Sequence, residues 1–259
     1  MSVEGAVDEY IALRFRATLA YDGTAYQGFQ RQAGDTPTIQ GAVEAAIAAV
    51  TGQKVTVNGA GRTDTGVHAE GQVIAFDVKW RHSDKALLRA LNANLSDDIA
   101  LQDIAQQPGF HPRFNAVARL YRYEIVVAEH RQPLLRLRAW RLHGALSTDA
   151  MERAAALLIG EHDFAAFGQP PQGEITTRTV LQSRWKSYPE RFGTRLTYHI
   201  EANAFLQHMV RRIVGQLVEV GRGGQTAAQF EEAFLRAELI GGTPLAPPQG
   251  LVLEAVRYE

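Results

Sequence analysis

The chain has no cysteine, which excludes disulfide frameworks, thiolate zinc sites, iron–sulfur clusters and cysteine nucleophiles. Its eight histidines include no His-x-x-x-His pair, and His68, His111, His162 and His208 stand apart from one another. With no thiolate to help them, a metal site is not expected. No apolar stretch approaches the ~20 residues needed to span a bilayer, so no membrane is expected as a partner. The first dozen residues, with Glu4, Asp8 and Glu9, lack the basic and apolar regions of a signal peptide and read as a short tail. Lysine is scarce. Of 27 basic residues all but Lys54, Lys79, Lys85 and Lys186 are arginine, whose planar fork suits bidentate phosphate contacts. The net charge of −1 gives no overall pull toward nucleic acid. Residues 111–141, however, hold seven arginines (113, 119, 122, 131, 136, 138 and 141) against Glu124 and Glu129. That stripe fits either a phosphate-tracking surface or a solvated face with scattered ion pairs.

What is present fits a globular chain: 259 residues, 46% apolar and 21% charged. Leu13 to Tyr21 reads as a strand. Thr38 then stands as an N-cap before Ile39, Ala42, Val43, Ala46, Ile47 and Val50 at helical spacing. Lys54–Asn58 and Gln72–Val78 read as strands, Ser83 caps a helix through Leu87, Leu91 and Leu95, and Ile99–Ile104 alternates. The second part repeats the order: strand 120–127, helix 148–159, strands 179–188 and 195–202, helix 207–220, an extra helix 226–237, and a strand Leu251–Tyr258. The expected class is α+β, with two β-α-β-β-α-β halves of the ferredoxin-like, RRM-like kind whose antiparallel sheets join around a central cleft. The implied division is a tail at 1–12, an N-terminal domain at 13–115 and a C-terminal domain at 116–259.

Three constellations carry chemistry. Residues 59–69, Gly-Ala-Gly-Arg-Thr-Asp-Thr-Gly-Val-His-Ala, put Asp64 in a glycine-framed loop between two strands, where glycine permits positive φ and close approach of backbone. The glycine spacing is not Gly-x-Gly-x-x-Gly, and no P-loop lysine follows, so a nucleotide-cofactor loop is not indicated. By itself an aspartate here reads first as a turn residue bonding nearby backbone. In Phe110–Tyr123, alternation puts Arg119, Tyr121 and Tyr123 on one face, fit either for stacking on a base or for packing in a core. Phe205–Gly215 places Arg211 and Arg212 on an apolar helix. One of them must lie near the buried face and needs a carboxylate, but periodicity does not choose between them.

The string Arg62-Thr-Asp-x-Gly-Val-His-Ala69 resembles the signature of the tRNA pseudouridine synthases of the TruA family. Tyr21-Asp-Gly-Thr-Ala-Tyr-Gln-Gly-Phe-Gln-Arg-Gln32, Arg119-x-Tyr-x-Tyr123, Gly160-Glu-His-Asp-Phe-Ala-Ala-Phe167, Met209-Val-Arg-x-Ile-Val-Gly215 and Ala246-Pro-Pro-Gln-Gly-Leu-Val-Leu253 are similar to further family segments, in the same order. Position 29 departs, with Phe where Trp is usual, which keeps packing but loses an indole donor. The resemblance implies a cofactor-free isomerase that converts uridine to pseudouridine at positions 38, 39 and 40 of the tRNA anticodon stem-loop. It further implies a cytoplasmic homodimer with one tRNA lying across both subunits.

The resemblance assigns Asp64 as the catalytic residue, Arg211 as its partner and Tyr121 as the contact to the target base. Attack on the sugar, attack on the base and removal of a sugar proton are all routes open to the carboxylate. Arg62 is expected to fill the space left by a flipped nucleotide or to bind a phosphate, and Leu251 and Leu253 to form an apolar wall. Thr63, Arg113 and Arg119 complete the expected substrate contacts. His68 is expected to brace the loop. Two other readings remain open at this point: a non-catalytic tRNA-binding protein or folding helper on the same scaffold, and a small-molecule hydrolase with an aspartate nucleophile.

Overall fold

Alternation decides the first element. In β1 (Leu13–Tyr21) Phe15, Ala17, Leu19 and Tyr21 point into the core while their neighbours are half-exposed. A computed structural model of the chain describes residues 11–170, 173–238 and 245–259. The tail expected at 1–12 lies, apart from Ile11 and Ala12, outside the described residues. Helix α1 (Ile39–Thr51) starts where the Thr38 hydroxyl accepts the Gly41 N–H and stops at Gly52 in the left-handed region. It buries Ile39, Val43, Ala46 and Ile47 on one side. Next come β2 (Asn58–Gly59), β3 (His68–Val78), α2 (Asp84–Asn92) and β4 (Ile99–Gln106).

The strand expected at Lys54–Asn58 is a correction: only Asn58 and Gly59 pair, with Ala75 and Ile74 of β3. Side chains of α1 occupy the backbone groups that a strand would have needed. The Glu44 carboxylate accepts the Val57 N–H at 3.0 Å, and the Gln40 amide donates to the Val57 carbonyl at 3.2 Å.

The second part runs β5 (Ala116–Val127), β6 (Trp140–Leu142), α3 (Thr148–Ala156), β7 (Gly160–Asp163), β8 (Thr177–Glu190), β9 (Gly193–Ala202), α4 (Met209–Gly221), α5 (Ala227–Leu235) and β10 (Leu251–Tyr258). Helix α3 ends three residues before the expected Ile159, and the short strands β6 and β7 were not expected. The ten strands of the described residues form one sheet, in the order β4-β1-β3-β10-β5-β9-β8-β7, with β2 on β3 and β6 on β5. It is mostly antiparallel. The exceptions are β5 with β6, and β10 with β3, where Val252 lies opposite His68 and Leu253 opposite Ala69.

One continuous apolar cluster draws on every helix, with Val43, Leu87, Met151, Ile213 and Phe230 from α1 to α5, and runs across the sheet from Phe15 to Leu253. Outward-facing residues of the central strands carry paired charges instead. Arg122 grips Glu70 with two bonds of 2.6 and 3.1 Å and reaches Glu124 at 3.0 Å.

Candidate active site

The Asp64 loop leaves β2 and enters β3 through a tight turn. The Val67 N–H donates to the Asp64 carbonyl at 3.1 Å, with Gly66 at φ +77°, the geometry of a type II turn that calls for glycine at its third position. The stem is fixed on both sides. The Tyr21 hydroxyl and Thr63 hydroxyl are 2.7 Å apart, the Gln72 amide donates to the Gly61 carbonyl at 2.8 Å, and the Phe29 N–H donates to the Thr63 carbonyl at 3.0 Å. Burial pushes the Tyr21 phenol up to about 12, so it remains a neutral partner for Thr63 near neutral pH. Phe29, the departure from the usual Trp, is buried with its ring over Gly59, where a Cβ would come within 2.5 Å of it.

Gly28 packs directly on the backbone of the Asp64 loop. It sits at φ +87°, and a Cβ there would meet the Thr63 carbonyl oxygen at 2.8 Å. Gly28→Ala is expected to cost about 1–3 kcal/mol in denaturant unfolding and to lower turnover by displacing the residue next to Asp64. Gly34→Ala, at φ +74° with nothing within 4 Å, has the same φ strain but no clash, so it should leave turnover alone. Equal turnover in both variants would show that the loop does not depend on this contact.

Across the cleft, α4 delivers an arginine. Arg211 is buried, its Nε donates to the Ala246 carbonyl at 2.7 Å, and its Nη1 donates to Asp64 Oδ2 at 3.1 Å, 147 residues away in sequence. Arg212 turns outward. Its Nη1 reaches the Phe167 and Gln207 carbonyls at 3.2 and 3.3 Å. The choice that periodicity leaves open is thus made by the direction of the first turn of α4. Asp64 stays about a quarter exposed and opens onto a cleft of about 1180 Å³.

The family model described as tRNA pseudouridine synthase matches residues 17–115 and 154–259. The chain belongs to this family.

Individual relatives agree over nearly the full length. The tRNA pseudouridine synthase A of Neisseria gonorrhoeae is 42% identical over 248 residues, covering 95% of this chain and 92% of the relative. Proteins of the same name from Chloroflexus aurantiacus and Geobacter sulfurreducens are 46% and 41% identical. They cover 93% of this chain in each case, and 87% and 97% of the relatives.

Within this family member the other expected site residues fall into two groups. Tyr121 joins Asp64 at the cleft: it lies on β5 between Ile200 and Leu253, packs edge-on against Phe205 at 5.1 Å, and its hydroxyl faces Gly61. Burial first, then the nearby Tyr21 and Asp64, push its phenol far above the usual range, so it is a neutral aromatic face. Tyr123 packs wholly in the core and donates to the Pro247 carbonyl at 2.7 Å. Thr63 is buried but reaches the cleft, and Arg62, Arg113 and Leu251 line it.

Two expectations are corrected. Leu253 is fully buried and does not line the cleft. It faces Ala69 and Tyr121 on the neighbouring strands, so it supports Tyr121 from the core. Arg119 lines the cleft, but its Nη hydrogens are committed to four backbone carbonyls, those of Asn203, Arg113, Ala60 and Ala116, at 2.7–3.3 Å. It contributes charge and bracing rather than a free fork. The arginine stripe also divides: of its seven members only Arg113 and Arg119 line the cleft. Arg122 is paired with Glu70, and Arg138 with Asp22 at 2.8 Å.

The resulting field is one-signed. Asp64 is the only acid lining the cleft among the described residues, and it already has Arg211. Arg62, Arg113, Arg119 and Arg178 line the same cleft without a carboxylate partner among those residues. A chain of net charge −1 thus still brings four arginines without a carboxylate partner to one cleft.

His208 is the residue that sequence reasoning missed. It is the N-cap of α4, held at φ +63°, and its Nε2 lies 3.5 Å from Asp64 Oδ2. Burial lowers its pKa, against the pull of Asp64 and with the help of Arg211 and Arg212, so it faces the carboxylate as a neutral imidazole at pH 7. Nothing in its spacing signals this, because the left-handed backbone that aims it has no mark in a histidine's sequence context. His68 braces as expected. Its Nδ1 accepts the Gly23 N–H at 3.1 Å and its Nε2 donates to the Leu137 carbonyl at 2.9 Å. Among the described residues no cluster of His, Asp or Glu could hold a metal, and no helix is long and apolar enough to cross a membrane.

Proposed function

We propose that the chain isomerises uridine to pseudouridine at positions 38, 39 and 40 of the tRNA anticodon stem-loop, with Asp64 as the catalytic residue and without a cofactor. The observation that carries the reading is Asp64 itself: a carboxylate at 3.1 Å from Arg211, in a cleft also lined by Arg62, Arg113, Arg119 and Arg178, which have no carboxylate partner among the described residues. The cations receive phosphates and the carboxylate acts on the nucleotide. The reaction breaks the bond from uracil N1 to the sugar C1′, turns the base and closes a bond from C5 to C1′; C5 releases its proton and N1 takes one up, so the product is an isomer of the substrate. Net oxidation state does not change.

The target base must leave its stack, at a cost of a few kcal/mol. Arg62, exposed and unpaired beside Asp64, takes the vacated space or an adjacent phosphate. Tyr121 offers its neutral ring to the displaced base, with Leu251 as apolar wall and Leu253 behind it. Thr63 holds the loop, Arg113 meets phosphate, and Arg119 adds its charge. Arg211, oriented by the Ala246 carbonyl, aims the carboxylate.

The architecture behind this reading is a pair of ferredoxin-like halves, 13–115 and 116–259, with β10 inserted where their sheets meet. Asp64 comes from one half, and Arg211 and Tyr121 from the other. A homodimer would let one tRNA lie across two such clefts, and such a substrate places the activity in the cytoplasm.

The test is tritium release from tRNA labelled at uracil C5. The expected result is one tritium released per target uridine, without added metal or nucleotide. Tight tRNA binding with no release would replace this reading with that of a non-catalytic binder. Turnover of small esters with no release would favour a hydrolase.

A further inference from the structure

Between β4 and β5 the chain makes a turn that buries Phe110 and Pro112, leaves Arg113, Phe114 and Asn115 exposed, and is fastened from several sides. The Asn115 side chain accepts the His111 N–H at 2.7 Å, and its own N–H donates to the His111 carbonyl at 3.0 Å. His111 Nδ1 accepts the N–H groups of Arg113 and Phe114, both at 3.2 Å. From outside, Arg119 holds the Arg113 carbonyl at 2.9 Å, and the Tyr258 hydroxyl holds that of Pro112 at 2.8 Å. A turn fixed this heavily orders its residues at an entropic cost.

The product of that ordering is an exposed ring. Phe114 is 76% exposed. One side lies on the His111 imidazole, with centroids 4.2 Å apart and planes at 30°, and the other side is open. Both rings line the same cleft as Asp64, together with Arg113 and Arg178, neither of which has a carboxylate partner. A phenyl group presented to water adds nothing to the core. A flat, pre-ordered aromatic surface between unpaired cations is what an unstacked nucleobase recognises, through its face and its phosphates.

We propose that the His111–Phe114 stack is a second base-binding platform, which takes an unpaired tRNA base other than the one delivered to Asp64. This rests on the reading of the cleft as a tRNA site. The platform binds without taking part in the chemistry, so its effect belongs in affinity. Any of the four bases can stack on it, which suits a loop whose sequence varies between substrates.

The test measures Kd for tRNA, steady-state KM and kcat, and sedimentation, for the wild type and for Phe114→Ala, Phe114→Leu and Phe114→Trp. Because the ring is exposed, all three variants should keep the wild-type unfolding midpoint. Ala and Leu should raise Kd and KM together by about tenfold or more, equivalent to ~1.4 kcal/mol, with most of the effect in KM. Trp should restore affinity, and its fluorescence should be quenched by tRNA beyond the change seen for the three native tryptophans. Unchanged Kd in Ala and Leu would overturn the platform. So would Leu binding like Trp, or a weakened Kd explained entirely by dissociation of a dimer. If the wild type binds tRNA but releases no tritium, while Ala and Leu still weaken binding and Trp restores it, the platform stands and the isomerase reading falls.

Discussion

Asp64→Asn is expected to stop tritium release from C5-labelled tRNA, by at least ~10⁴-fold, the scale seen when an essential reacting group is removed. The replacement preserves shape, and its amide oxygen can still accept from Arg211 Nη1, which sits at 3.1 Å in the native protein. The loop is held by Tyr21, Gln72 and Phe29 and not by the carboxylate, so unfolding midpoints should shift little. Binding of tRNA should survive, since removing the one acid from a cleft of arginines does not weaken its attraction for phosphate. Release at the wild-type rate from the variant would sink the assignment of Asp64, whatever the fold.

Arg211→Lys should be nearly as damaging, although it preserves the charge. Arginine here makes two bonds in different directions, Nε to the Ala246 carbonyl and Nη1 to Asp64. Lysine has a single ammonium on a flexible stem and cannot reproduce the fork. Loss of ~10²–10³ in kcat is expected, comparable with removal of one oriented donor from an active site. Stability should fall by about 1–3 kcal/mol if the Ala246 carbonyl is left without its partner. The combined Asp64→Asn/Arg211→Lys variant should be no slower than Asp64→Asn alone, because the arginine acts through the aspartate. Full additivity of the two losses in kcat would show that Arg211 has a separate role.

Much of this site can be read from the residues because its parts are local. The glycine-framed string around Asp64 marks a loop without any knowledge of the fold, and Thr38 followed by a 3.6-residue apolar period marks α1. β10 at Leu251–Tyr258 and β1 at Leu13–Tyr21 lie where alternation puts them. What escapes the sequence is set by contacts distant in the chain. Val55 and Val57 have strand-forming side chains, but Gln40 and Glu44 take both backbone groups of Val57. Leu253 and Leu251 are two residues apart and equally apolar, yet one is sealed and the other meets the cleft. Arg119 looks like a phosphate ligand until four carbonyls from three parts of the chain converge on it. His208 carries no signal, because its aim depends on one backbone angle.

The place of β10 also bears on how the protein comes into being. It fills the gap between β3 and β5, and Ala246, just before it, supplies the carbonyl that orients Arg211. Leu251 lies 187 residues after Asp64. At a ribosomal pace of about 5–20 residues per second, roughly 10–40 s pass between their synthesis. Once made, β3 and β5 wait for β10 with their facing edges unpaired, and exposed edges invite pairing with other chains. The nascent polypeptide therefore holds a finished Asp64 loop without a finished cleft. Activity begins as a late event of assembly, when a single strand closes the sheet.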